Sequence, residues 1–134
     1  RGPVVDNDVL LSALKQGVVS EAVIDTWEHE PHINLELLDR TFIGTPHIAG
    51  YSADGKATAT RMSLQALCRY LGKPFTLNIR APKLPDTMLP TSSDPEEMAL
   101  QLYNPQTDSD ALKNNPSMFE YLRGNYPLRR EYAD

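Results

Sequence analysis

Three short groups of residues hold the side chains best suited to chemistry. The first is Arg1-Gly2-Pro3-Val4-Val5-Asp6. Arginine offers a planar fork of donors that matches a carboxylate with two parallel bonds. At a chain terminus, the same side chain is equally at home in solvent. The second is Asp25-Thr26-Trp27-Glu28-His29-Glu30-Pro31. Pro31 disfavours helix at Glu30 and turns the chain there, although an acidic surface loop has the same composition. The third is Thr45-Pro46-His47-Ile48-Ala49-Gly50-Tyr51. A lone histidine is usually structural or merely exposed, yet its charge changes most readily near neutral pH. A carboxylate beside it would orient the ring and favour its charged form, and Glu30 is the candidate partner. A zinc site is not expected, because His29-Glu30-Pro31-His32 lacks helical i, i+4 spacing.

The elements that must position these groups read as an α/β layer. Residues 6–17 predict a helix, with Asp6 or Asn7 as cap, Leu10, Leu11 and Leu14 as its apolar stripe and Gly17 as its stop. Residues 22–25 read as a buried parallel strand covered on both faces, ending at Asp25. The carboxyl end of such a strand is where ligands bind in open α/β sheets. Asn34 caps a short helix over 35–39, and 42–44 form another strand. Residues 54–71 predict the longest helix, capped by Asp54 and ended by Gly72 and Pro74. Met62, Leu64, Ala66, Leu67, Cys68 and Leu71 make it so broadly apolar that burial is expected, on its own chain or a partner.

The composition changes near residue 74. Residues 75–80 alternate like a half-buried strand, and 81–95 are a proline-rich linker. Asp94-Pro95-Glu96-Glu97 is a strong helix start for 96–103, and Ser117 is a cap for a last helix ending at Gly124. The 134 residues suit one domain or two small pieces. A net charge of −5 argues against a general nucleic-acid binder. Nothing is apolar over a membrane's width. The one cysteine, Cys68, rules out a disulfide framework and suits a reducing compartment.

Taken together and in this order, the three motifs resemble the D-isomer-specific 2-hydroxyacid dehydrogenases. That family's pattern is R-G-x-x-V-D, then D-x-x-x-x-E-P, then P-H-x-x-G. The short gap from Glu30 to His47, and Gly55-Lys56-Ala57 after Tyr51, most resemble the branch that oxidises 4-phospho-D-erythronate. Phe119-Glu120-Tyr121-Leu122-Arg123, Asn125-Tyr126 and Arg129-Arg130-Glu131-Tyr132 look like that branch's dimerisation domain.

The resemblance implies an NAD-dependent oxidoreductase of pyridoxine phosphate biosynthesis, cytoplasmic and homodimeric, with no nucleic-acid or membrane partner. It implies an α/β fold: the second half of a Rossmann-type NAD-binding domain over 1–53, a return helix over 54–73 and part of an α+β dimerisation domain over 74–134. Arg1 matches the arginine that grips the substrate carboxylate, beside the cofactor. His47 matches the acid/base and Glu30 the carboxylate that orients it. Asp25 matches a contact to the nicotinamide end of NAD, Gly50 a backbone position close to the cofactor, and Tyr51 a substrate contact. No G-x-G-x-x-G is present, and the family carries it upstream of the arginine motif. The start at Arg1, without Met, therefore reads as a piece cut from a longer chain, expected to have little activity alone. Two other readings are a related dehydrogenase acting on glycerate or phosphoglycerate, and an isolated association module.

Overall fold

A computed structural model describes residues 1–131. Tyr132, the last residue of the quoted tail motifs, lies outside the described residues. The chain divides into two compact units: Arg1–Ala49 with Pro105–Tyr126, and Gly50–Asn104 with the residues from Pro127 onward. This division by contacts differs from the composition change near residue 74.

The first unit begins with helix α1 (Asn7–Lys15). Asp6 caps it by accepting from the Asp8 and Val9 N–H groups at 3.0 and 2.9 Å. Gly17 follows at φ +70°, a left-handed turn that glycine enters without steric cost. Strand β1 (Val23–Ile24) pairs in parallel with β2 (Ile43–Gly44), Val23 opposite Ile43 and Ile24 opposite Gly44. Between them runs α2 (Leu35–Arg40), capped by Asn34 as expected. Residues 22–25 are not covered on both faces: Val23 is 69% exposed. Only two strands occur among the described residues, so β1 has β2 as its one strand neighbour there.

Two helices from the far end of the sequence complete this unit. Helix α5 (Pro105–Asn114) lies against β2, where the fully buried Ser109 hydroxyl accepts from the Gly44 N–H at 3.0 Å. Helix α6 (Phe119–Gly124) follows a 3-10 turn, Pro116–Met118. Leu112 and Phe119 join Leu11, Trp27, Ile33, Leu37 and Leu38 in one core. Ser117 does not cap α6; it sits inside the 3-10 turn, its hydroxyl donating to Asn115 at 2.8 Å.

The second unit holds α3 (Ala53–Tyr70) and α4 (Pro95–Leu102). Asp94 caps α4, with Pro95 at its first position, as the sequence predicts. Ser52, not Asp54, caps α3: its hydroxyl accepts from the Gly55 N–H at 2.9 Å. Asp54 is engaged elsewhere, in a two-pronged ion pair with Arg130 at 2.8 and 3.0 Å. No residue of α3 is buried, contrary to the burial expected from its apolar breadth; Met62, Leu67, Tyr70 and Leu71 all lie more than half exposed. Residues 75–80 form no strand. Having no neighbouring strand to pair with, the segment bonds to a side chain instead, Arg61 reaching the Ile79 carbonyl at 3.3 Å. No helix among the described residues is long and apolar enough to cross a membrane.

Candidate functional site

The first unit gathers the candidate residues on the two loops that follow its parallel strands. Asp25 to Pro31 leave β1 and Thr45 to Ala49 leave β2, so both loops emerge at the carboxyl ends of adjacent strands. Asp25 joins them. Its Oδ1 accepts from the Thr45 hydroxyl at 2.8 Å and the Ile48 N–H at 2.7 Å, and its Oδ2 accepts from the Ala49 N–H at 3.1 Å. Two of these bonds fix the backbone immediately after His47, and the third holds the Thr45 side chain just before it.

His47 has φ +57°, a left-handed backbone that side chains other than glycine rarely adopt. Such strain persists only where the surroundings over-determine it, and it clusters at functional sites. Here the Asp25 clasp supplies the determination. The conformation brings His47 Nδ1 to 2.8 Å from Glu30 Oε2. With Nδ1 committed to a carboxylate, Nε2 is the ring atom left to exchange a proton. Glu30 is itself held: its Oε1 accepts from the Trp27 N–H at 2.8 Å. Its side chain is 16% exposed against 37% for the His47 ring, so the carboxylate sits behind and the imidazole in front.

The segment beneath Glu30 is anchored in the core. Trp27 is 2% exposed and its indole donates to the Thr45 carbonyl at 3.0 Å. Asn7 and Glu28 exchange bonds across 21 residues, the Asn7 N–H to Glu28 Oε2 at 2.8 Å and the Glu28 N–H to Asn7 Oδ1 at 3.1 Å. Gly2 packs on the same backbone so closely that a Cβ would lie 1.8 Å from the Trp27 carbonyl oxygen. Only glycine permits that approach, and it places Arg1 next to the motif of the β1 loop.

Arg1 and Asp25 line one cavity of about 390 Å³, with Thr26, at the end of β1. Arg1 is exposed and makes no side-chain bond to a described residue. The structure thus pairs Glu30 with His47, ties Asp25 to the His47 loop and sets Arg1 beside Asp25. It shows no direct bond between Arg1 and His47. Gly50 and Tyr51 belong to the second unit. Gly50 has nothing within 4 Å of where a Cβ would stand, and Lys56 Nζ lies 4.7 Å from the Tyr51 ring centre. No cluster of potential metal ligands occurs among the described residues.

Residues 1–49 match the family described as D-isomer specific 2-hydroxyacid dehydrogenase, NAD binding domain. Both candidate loops fall inside the match, which agrees with the resemblance carried by the three motifs. The chain is also similar to proteins named erythronate-4-phosphate dehydrogenase, 57% identical over 131 residues in Bacteroides fragilis and 56% in Bacteroides thetaiotaomicron. A third, from Marinobacter nauticus, is 44% identical over 148 aligned positions. Each of the three alignments covers 98% of this chain but 37–38% of the relative. The 2-hydroxyacid dehydrogenase family thus accounts for NAD as the cofactor for which this domain is built.

The network around the family's motifs was not visible in sequence. Thr45, Asn7 and Glu28 carry no chemical signature, and the bonds that make them useful join residues about twenty positions apart.

Proposed function

We propose that this chain supplies the proton-transfer pair of an NAD-dependent dehydrogenase that oxidises 4-phospho-D-erythronate to (R)-3-hydroxy-2-oxo-4-phosphooxybutanoate, a reaction of pyridoxine phosphate biosynthesis. The observation that carries the reading is the 2.8 Å contact between His47 and Glu30, on a loop whose backbone is strained into place. In this reading His47 Nε2 takes the C2 hydroxyl proton while Glu30 holds the ring and balances the charge that develops on it. Arg1 grips the substrate carboxylate through its fork. The residues present fit the nicotinamide end of NAD. Asp25 lines the 390 Å³ cavity, and its Oδ2, accepting one described bond, keeps room for a second donor. Gly50 leaves open space on its α-carbon for close approach, and Tyr51 contacts substrate. NAD, when bound, supplies the hydride chemistry.

The proposal also takes the protein to be cytoplasmic and homodimeric, with residues 74–134 contributing to a dimerisation domain. Initial rates of NADH formation with 4-phospho-D-erythronate, D-glycerate and 3-phosphoglycerate test the substrate, using the protein that carries this chain. The phosphoerythronate rate is expected to dominate; a higher rate on either other acid would favour the related dehydrogenase. The 134 residues alone are expected to turn over little, since the glycine-rich pyrophosphate motif is not among them.

A second reading, an association module, draws on the exposed Met62, Leu67 and Tyr70 of α3 and on Leu71 just after it. Light scattering of the 134-residue chain checks it. A concentration-dependent dimer is expected, and a strict monomer at high concentration would remove it.

A further inference from the structure

The second unit contains a cavity of about 740 Å³ that the proton-transfer reading does not use. It lies between the N-terminal half of α3 and the extended segment around Arg80. Its lining carries four cationic side chains, Arg61, Arg80, Lys83 and Arg130, against two carboxylates, Asp54 and Glu131. That is a local excess of two positive charges (four minus two) in a chain whose net charge is −5.

The charges are not equivalent. Arg130, whose side chain is 4% exposed, is neutralised by its two bonds to Asp54 and also donates to the Pro82 carbonyl at 2.7 Å. Arg61 donates to the Ile79 carbonyl at 3.3 Å and to the Thr58 hydroxyl at 3.2 Å. These two arginines therefore pin the extended chain at two carbonyls, on either side of Arg80 and Ala81. The wall that carries Arg80 and Lys83 is held in place by side chains, although it has no secondary structure. Glu131 accepts from the Ser52 hydroxyl, at the mouth of α3. Arg80 spends one donor, its Nε, on Asn78 at 3.0 Å, which leaves both terminal nitrogens of its fork. Lys83 lines the same space with three donors. Ala57 and Ala81 keep the cavity clear.

We propose that this cavity binds the phosphoryl group of a small phosphorylated molecule, with Arg80 and Lys83 as its principal contacts and Arg61 and Thr58 beside them. Two cations with unspent donors, one a planar fork, match the several acceptor oxygens and the double charge of a phosphate. A single carboxylate would leave much of that set unused. The volume lies within the range of small-molecule sites, and a concave site of this size favours a small ligand over a polymer. The inference does not rest on the proton-transfer reading, because none of its residues belongs to the His47 site.

Calorimetric titration of the 134-residue chain with inorganic phosphate, then pyrophosphate, at fixed ionic strength tests it. Saturable one-site binding is expected, tighter for pyrophosphate. The double variant Arg80→Ala/Lys83→Ala should weaken it by roughly tenfold or more, since each lost contact is a bond to a charged group. Both residues are exposed and lie outside any helix, so the variant should keep its circular dichroism spectrum. His47→Ala should bind phosphate unchanged, so that failure of the proton-transfer reading and failure of this one are separable. Absence of saturable binding, equal binding by the double variant, or equal competition by chloride would each overturn the proposal.

Discussion

Replacing His47 by alanine should lower NAD-dependent turnover of 4-phospho-D-erythronate by about 10²- to 10⁴-fold, the range for loss of a positioned general base. The loss should fall on kcat, with NAD affinity nearly unchanged, because the described bond of the His47 ring is to Glu30 and not to Arg1 or Asp25. The ring is bonded to Glu30 alone among the described residues, at 2.8 Å, and it is 37% exposed. Its removal leaves no large cavity. The Asp25 clasp grips the backbone N–H groups of Ile48 and Ala49, so the loop itself survives the substitution. Alanine at φ +57° carries the same backbone strain as histidine, so stability should change little. Steady-state kinetics beside NAD titration checks both halves, and unchanged turnover would take the acid/base role away from His47.

The largest effect on stability is expected at Asp54. Asp54→Ala takes from the buried Arg130 guanidinium the carboxylate that it grips with two bonds, at a cost of about 3 kcal/mol for removing one partner of a buried pair. It also removes an acceptor from the Glu131 N–H, bonded to Asp54 at 2.8 Å. The cost should depend on pH in a defined direction. The hydrogen bond from Arg130, foremost, and the one from the Glu131 N–H hold the Asp54 carboxyl below its ordinary value of 3.8. A depressed folded-state value means that the unfolded chain takes up its proton first as pH falls. The contribution is therefore complete above about pH 4 to 5 and fades below 3.8, as pH falls through the lowered value. Denaturant midpoints followed by circular dichroism should show the wild type well above the variant at neutral pH. The two should converge in acid. A constant gap down to the lowest accessible pH would show that Asp54 acts by packing rather than by charge.

Much of the candidate site was legible in sequence because short motifs carry it. Arg1-Gly2, Asp25 to Pro31 and Thr45 to Gly50 name the residues outright, and strand ends are where such residues collect. Helix caps were readable wherever one side chain serves its own next two or three residues, as at Asp6, Asn34 and Asp94. Long-range structure was not. The helix α5 begins Pro105-Gln106-Thr107-Asp108, too polar to signal itself, and is fixed by Ser109 and Leu112 against β2 and the core. The alternation of Phe75 to Arg80 imitates a strand, but a strand needs a partner. Arginine side chains took the carbonyls at Ile79 and Pro82 instead. Asp54 looked like a cap because it stands at a helix start, and Arg130, 76 residues away, claimed it.

A double-mutant cycle on His47 and Glu30 tests the proton-transfer pair most directly. The turnover of wild type, His47→Ala, Glu30→Gln and the double variant would be measured in the protein that carries this chain. Glu30→Gln keeps the shape and an acceptor for the Trp27 N–H while removing the charge behind the ring. If Glu30 acts through His47, residues working as a unit are strongly non-additive. The double variant should then be no slower than His47→Ala alone. Losses that multiply, each substitution exacting its full cost in the presence of the other, would contradict the pair.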